Sequence, residues 1–166
     1  MLVQDEITLP TLSITPNSGV TNANSIVFTF QFSENVVGFE ASDVTVSNGS
    51  QGTFSKIDDD TYTLQVTPTS DGTVTASVAA NAAQDRAMNG NVGASGAVMS
   101  DRTRPTLAIA PAFAFSNANE LTFTFQFSEV VTGFTAADVV VTNGTTGEFV
   151  AVDGDTYSVV VTPTAD

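Results

Sequence analysis

Carboxylates are the only side chains present in quantity that could do chemistry. The 166-residue chain carries 18 Asp and Glu against four bases, Lys56, Arg86, Arg102 and Arg104, for a formal net charge of −14. It has no Cys and no His. Disulfides, thiolate or imidazole metal sites, Cys nucleophiles and His acid–base pairs are therefore excluded. Three roles remain for the acids. They can solvate the surface, they can bind a hard cation through oxygen, or two of them can flank a glycosidic bond. Glu34 with Asp43 has the right residue types for the last role. However, the pair returns as Glu129 and Asp138, the chain has no Trp to stack on a sugar, and its two tyrosines stand at equivalent places. A duplicated pair without a sugar platform argues against an enzyme. A chain this acidic has no basic stripe to displace the counterions of nucleic acid, and an anionic membrane surface would repel it.

The elements that must position these acids come in two copies. Pro10-Thr11-Leu12 recurs 95 residues later as Pro105-Thr106-Leu107, and the same spacing carries Phe28–Glu34 onto Phe123–Glu129, Asn48-Gly49 onto Asn143-Gly144 and Tyr62 onto Tyr157. Without a gap, 35 of the 62 positions from Pro10 to Asp71 match. A fixed period of this length marks tandem structural repeats. The expected organisation is a complete repeat over residues 1–100 and a second, truncated one over 101–166 that lacks counterparts of the segment after Asp71. That second copy is expected to expose unpaired edges and part of its phenylalanine face.

Within each copy the apolar residues alternate. Ile26, Phe28, Phe30 and Phe32 share one face, with Val27, Thr29 and Gln31 on the other; Leu121, Phe123, Phe125 and Phe127 repeat the arrangement. Period two sends neighbouring side chains to opposite faces, as in a strand with one buried side. Val44–Val46, Tyr62–Val66 and Val74–Val78 read the same way. Asn48-Gly49 suits a tight hairpin, and Asp58-Asp59-Asp60 with Asp153-Gly154-Asp155 suits turns between strands. Short strands separated by turn signals predict an antiparallel two-sheet sandwich. Ala79–Ala83 is expected to be a strand end running into a loop.

The run Phe32-Ser33-Glu34, Val36, Gly38-Phe39 and Asp43 resembles the bacterial Ig-like domains of large surface proteins and adhesins. So do Asn48-Gly49, Tyr62–Pro68, the Asp85-Arg86-Ala87-Met88-Asn89 loop and the Asp101–Thr106 linker. The resemblance implies an all-β fold of tandem Ig-like antiparallel β-sandwiches, the second truncated. It also implies Ca²⁺ held by loop and linker oxygens near domain junctions. Glu34, Asp85 and Asn89 would lie at one end of the first sandwich, joined by Asp5 or Glu6. Asp101 and Glu129 would meet near the junction, with Asp71 approaching from the first domain's far end. The competing reading is that these acids cap turns or pair with Arg86, Arg102 and Arg104. Two departures bear on the metal: Met88 stands where the loop pattern has Gly, and Arg102 and Arg104 replace neutral linker residues. Asp43 and Asp138 are read as turn formers.

The functional expectation is a non-catalytic extracellular structural repeat, a stalk or spacer of a bacterial surface or secreted adhesin-like protein. Its partners would be neighbouring Ig-like repeats and a cell-surface ligand of the parent. The alternatives are a direct glycan- or protein-binding module and an accessory repeat of a secreted enzyme. Phe113 and Phe115, which escape the inward alternation, could form a sticky patch but are read as packing on the neighbouring domain. No stretch approaches the roughly 20 apolar residues of a membrane span. Met1–Glu6 lacks the basic start and apolar run of an export signal, which would then lie outside this sequence.

Overall fold

Residues 8–112 and 117–164 are described by the computed structural model. Asp5, Glu6, Phe113, Phe115 and Asp166, which entered the expectations above, lie outside them. The chain divides into two compact units, Met1–Thr103 and Arg104–Asp166.

The first unit contains β1 (Leu12–Thr15), β2 (Val20–Thr21), β3 (Ile26–Phe32), β4 (Val44–Ser47), β5 (Gly49–Lys56), β6 (Thr61–Pro68), β7 (Gly72–Val78) and β8 (Ala94–Ser100). One sheet runs β1-β3-β6-β5 and the other β2-β8-β7-β4. All pairings are antiparallel except β2 with β8, which is parallel, Val20 opposite Met99. The alternation read from the sequence sets the faces: Ile26, Phe28, Phe30 and Phe32 are buried and Val27 is exposed. Phe39 sits at the centre of an aromatic cage, with ring centroids 5.5 Å from Phe30, 5.1 Å from Phe32 and 5.1 Å from Tyr62. Tilted and edge-on contacts of this kind add about 0.5–1.5 kcal/mol each beyond burial. Opposite this layer the second sheet supplies small residues, Val74, Ala76, Val78 and Val98. Large residues facing small ones fill the roughly 10 Å between stacked sheets.

Asn48-Gly49 makes no hairpin. β4 pairs with β7 and β5 with β6, so Asn48, at φ +53°, is the corner where the chain changes sheets. The turn residue was read correctly, but its partner strands were not local. Glycine is required at 49 because a Cβ there would stand 2.5 Å from Val66 Cγ1. The Asp58–Asp60 turn does join neighbouring strands, with Ile57 N–H donating to Thr61 C=O at 2.9 Å.

The second unit contains β9 (Leu107–Ala110), β10 (Leu121–Phe127), β11 (Gly144–Ala151) and β12 (Thr156–Pro163), in one sheet ordered β11-β12-β10-β9. It reproduces the β1-β3-β6-β5 sheet. Its cage is the same: Phe134 lies 5.5 Å from Phe125, 5.1 Å from Phe127 and 5.0 Å from Tyr157. Val139–Val141, the counterpart of the first three residues of β4, forms no strand here. A strand is defined by its partner, and β7 has no counterpart among the described residues of this unit.

Candidate functional site

Two places in the first unit gather polar side chains. The first is the end where the β3–β4 connection meets the long β7–β8 loop. Val37 and Gln84 exchange backbone hydrogen bonds of 2.8 and 3.1 Å, which draws Glu34 and Asp85 to one cleft of about 380 Å³ shared with Asn35, Arg86 and Ala87. The loop is held from within. Asp85 is 4% exposed. Its Oδ1 accepts the Asn89 N–H and its Oδ2 the Asn89 side-chain amide, both at 2.8 Å. Burial raises the Asp85 pKa, but the Asn89 amide and the N–H groups of Asn89, Ala87 and Met88 outweigh it, and the net displacement is below 3.8.

Asn91, which sequence reasoning passed over, is the second pin of this loop. It is fully buried; its Oδ1 accepts Ala83 N–H at 2.8 Å, and its Nδ2 donates to the carbonyls of Ala79 and Val92 at 3.1 and 2.9 Å. Its signal was an Asn beside a Gly-rich loop, which composition alone does not separate from a surface turn. Met88 occupies the position where the family pattern has Gly, and its φ is +68°. The loop therefore keeps the left-handed residue that the pattern demands and fills it with a side chain that disfavours it.

The second place lies at the opposite end. β8 begins beside the long loop and carries Asp101 about 24 Å away, at roughly 3.4 Å per residue. Here Asp71 receives the chain as it leaves β8: Arg102 N–H donates to Oδ1 at 2.8 Å and Thr103 Oγ1–H to Oδ2. The Thr103 hydroxyl, then the Arg102 N–H, hold the Asp71 carboxyl below its usual pKa. Arg102 also donates from its guanidinium to Pro68 C=O at 3.3 Å, and Asp101 N–H donates to Thr21 C=O at 2.9 Å. Asp101–Thr103 thus pack with the first unit, three residues beyond the repeat end at Ser100 read from the sequence.

The structure brings Glu34, Asp85 and Asn89 to one end and places Asp101 at the other; Glu129 belongs to the second unit, where its Oε1 is buried without a hydrogen-bond partner among the described residues. Among the described residues no three acidic side chains gather as a metal site would require. Both Asp85 oxygens accept hydrogen bonds within their own loop. The ion pair found is Lys56–Asp59 at 2.6 Å; among the described residues no arginine pairs with a carboxylate. Asp43 and Asp138 are turn formers: their Oδ2 atoms accept Glu40 N–H at 2.8 Å and Thr135 N–H at 2.9 Å. Among the described residues no helix is long and apolar enough to cross a membrane.

Two sandwich-type sheets with duplicated aromatic cages, a sheet-changing Asn-Gly corner and a pinned β7–β8 loop define an Ig-like domain. The family model of the bacterial Ig-like domain matches residues 6–99 and again 101–166. The chain belongs to that family. No curated protein matches its sequence. Among solved structures it is similar to the Escherichia coli adhesin FdeC, at 14% identity over 93% of this chain and 55% of that one, TM-score 0.44. It is similar to invasin, a bacterial integrin-binding protein, at 16% over 94% and 34%, TM-score 0.43. InvD of Yersinia pseudotuberculosis shows 21% over 93% and 49%, TM-score 0.41. The chain spans about a third to a little over half the length of these structures.

Proposed function

We propose that this chain is a non-catalytic extracellular spacer, a load-bearing repeat of a bacterial surface or secreted adhesin-like protein. The observation that carries the proposal is the parallel pairing of β2 with β8. β2 lies near the start of the first unit and β8 at its end, joined by Met99 N–H to Gly19 C=O at 3.0 Å and Asp101 N–H to Thr21 C=O at 2.9 Å. Tension carried between the start of β2 and the end of β8 drives these strands past each other. The bonds between them then resist together, whereas an antiparallel hairpin pulled at its ends opens one bond at a time. The Asp71 clamp on Arg102 and Thr103 adds to this resistance by fixing the exit chain to the body of the unit.

Non-catalytic character is supported by the acids themselves. Asp43, Asp71 and Asp85 each accept backbone N–H groups. Single-molecule pulling on the full chain tests the proposal. The first unit should unfold in one high-force event, and Met99→Pro, which deletes the donor to Gly19, should lower that force without abolishing folding. Forced unfolding is governed by the unfolding rate, so an unchanged force in that variant would remove the mechanical reading. A glycan or protein array giving specific binding to the chain would favour the binding-module reading instead.

A further inference from the structure

Only four peptide bonds of this chain follow a basic residue, those after Lys56, Arg86, Arg102 and Arg104. Three are guarded by their immediate surroundings. Lys56 ends β5 at a tight turn, where its Nζ lies 2.6 Å from Asp59 and Ile57 N–H donates to Thr61 C=O at 2.9 Å. Arg86 sits in the long β7–β8 loop, inside the span that the Asp85–Asn89 hydrogen bonds close. Arg104 precedes Pro105, whose ring leaves no N–H and fixes φ. The Arg102–Thr103 bond differs. It lies beyond β8 in chain without regular structure, and Thr103 is exposed. Exposed, irregular chain of this kind is where proteases nick.

A protease takes its substrate as an extended strand, through the substrate's backbone N–H and C=O groups and a pocket for one side chain. Around Arg102 those groups are already engaged. Asp101 N–H donates to Thr21 C=O at 2.9 Å, Arg102 N–H to Asp71 Oδ1 at 2.8 Å and Thr103 N–H to Asp101 Oδ1 at 3.3 Å. The Arg102 guanidinium, which a pocket for bases would have to capture, donates to Pro68 C=O at 3.3 Å. The Thr103 hydroxyl donates to Asp71 Oδ2. One carboxylate thus grips the residues on both sides of the bond. We propose that Arg102–Thr103 is a guarded cleavage site for a trypsin-like serine protease, and that Asp71 is its guard. When the Asp71 grip opens, the segment extends into the protease. Water then adds across the bond, its oxygen to the Arg102 carbonyl carbon and a proton to the Thr103 nitrogen, and the chain parts one residue before the boundary of its two units. No residue from Pro105 to Asp166 is basic, so this cut leaves the second unit whole.

Limited digestion of the full chain with trypsin, followed by intact mass spectrometry, tests this. Cutting of a transiently opened segment follows the population of its open form. The unaltered chain should resist at all four bonds. Asp71→Ala should be cut about tenfold or more faster, to fragments 1–102 and 103–166, with the bonds after Lys56 and Arg86 still intact. Thr103→Val removes one of the two grips on Asp71 and should accelerate the same cut by a smaller factor. An Asp71→Ala rate equal to that of the unaltered chain would overturn the proposal. So would rapid cutting of the unaltered chain after Arg102. Cutting after Lys56 and Arg86 in step with Arg102 in both variants would overturn it too, because the carboxylate would then hold the whole unit rather than this one bond.

Discussion

Ile14 and Ile109 offer a measurement of what the second sheet contributes. Both are isoleucines on the first strand of a sheet, Ile14 opposite Phe30 and Ile109 opposite Phe125. They differ in cover, being 4% and 45% exposed. Truncation to Ala removes three carbons, about 2.4 kcal/mol at ~0.8 per methylene. At Ile14 the loss is nearly complete and leaves a cavity walled by Gly96, which raises the cost to about 3–4 kcal/mol. At Ile109 about half of the transfer term is at stake and the space opens to solvent, giving about 1 kcal/mol. The chain has no Trp and one Tyr in each unit, Tyr62 and Tyr157. Tyr fluorescence in a Tyr157→Phe background therefore reports the first unit, and in a Tyr62→Phe background the second. Both hydroxyls make only long bonds, 3.4 Å to Val36 C=O and 3.3 Å to Val131 C=O, so these reporter changes are mild. With a urea m-value of about 1.5 kcal/mol/M, Ile14→Ala should lower the first midpoint by about 2 M or more, and Ile109→Ala the second by well under 1 M. Losses equal within 0.5 kcal/mol would mean that Ile109 is covered as fully as Ile14, and the reasoning about the open face would fall.

Asn91→Ala strands the Ala83 N–H and the Ala79 and Val92 carbonyls inside the unit; at about 1–3 kcal/mol per orphaned group with partial rehydration, a loss near 3 kcal/mol by urea denaturation is expected. Met88→Gly relieves a left-handed residue and should stabilise the first unit by about 0.5–1 kcal/mol, net of the greater freedom of glycine when unfolded; a lower melting temperature would show that the Met88 side chain contributes packing. Asp58, Asp71, Asp85 and Asp153 all sit below 3.8 when folded. The unfolded chain therefore takes up protons first, so their stabilisation is complete above about pH 5 and is lost as pH falls through 3.8 toward the folded values. The urea midpoint should drop below pH 4, and a combined Asp71→Asn, Asp85→Asn chain should show a shallower drop. Millimolar Ca²⁺ should leave the melting temperature of the chain within 1 °C; a rise of several degrees, abolished by Asp85→Asn, would contradict the reading of that loop as self-satisfied.

The strands were legible because burial on one face imposes a period of two, and the second copy repeated the signal. The aromatic cage of Phe30, Phe32 and Tyr62 around Phe39 followed only once the register was known. Pairing was less visible. Asn48 announces a left-handed residue but does not say which strands flank it, and β4 exists only because β7, some thirty residues later, pairs with it. The polar ends were the least legible. Asp71 and Asp101 were seen as acids near a junction, but the clamp uses the backbone of Arg102 and the hydroxyl of Thr103, and no residue-type pattern marks those. Asn91 looked like loop filler, because burial of an amide depends on three carbonyl and N–H groups brought together by the fold.

The duplicated cage also bears on how the polypeptide is made. β3 and β10 share the Phe-Thr-Phe-Gln-Phe run and hold their rings at matching distances, so either could template β6 or β12 in an unfolded chain. Released all at once from denaturant, such a chain faces crossed pairings between repeats. Emerging from a ribosome at about 5–20 residues per second, it gains several seconds between completing β8 and extruding β12, and sandwiches of this kind fold in milliseconds to seconds. Vectorial synthesis can thus seal the first sandwich before its near-twin competes for the same strands.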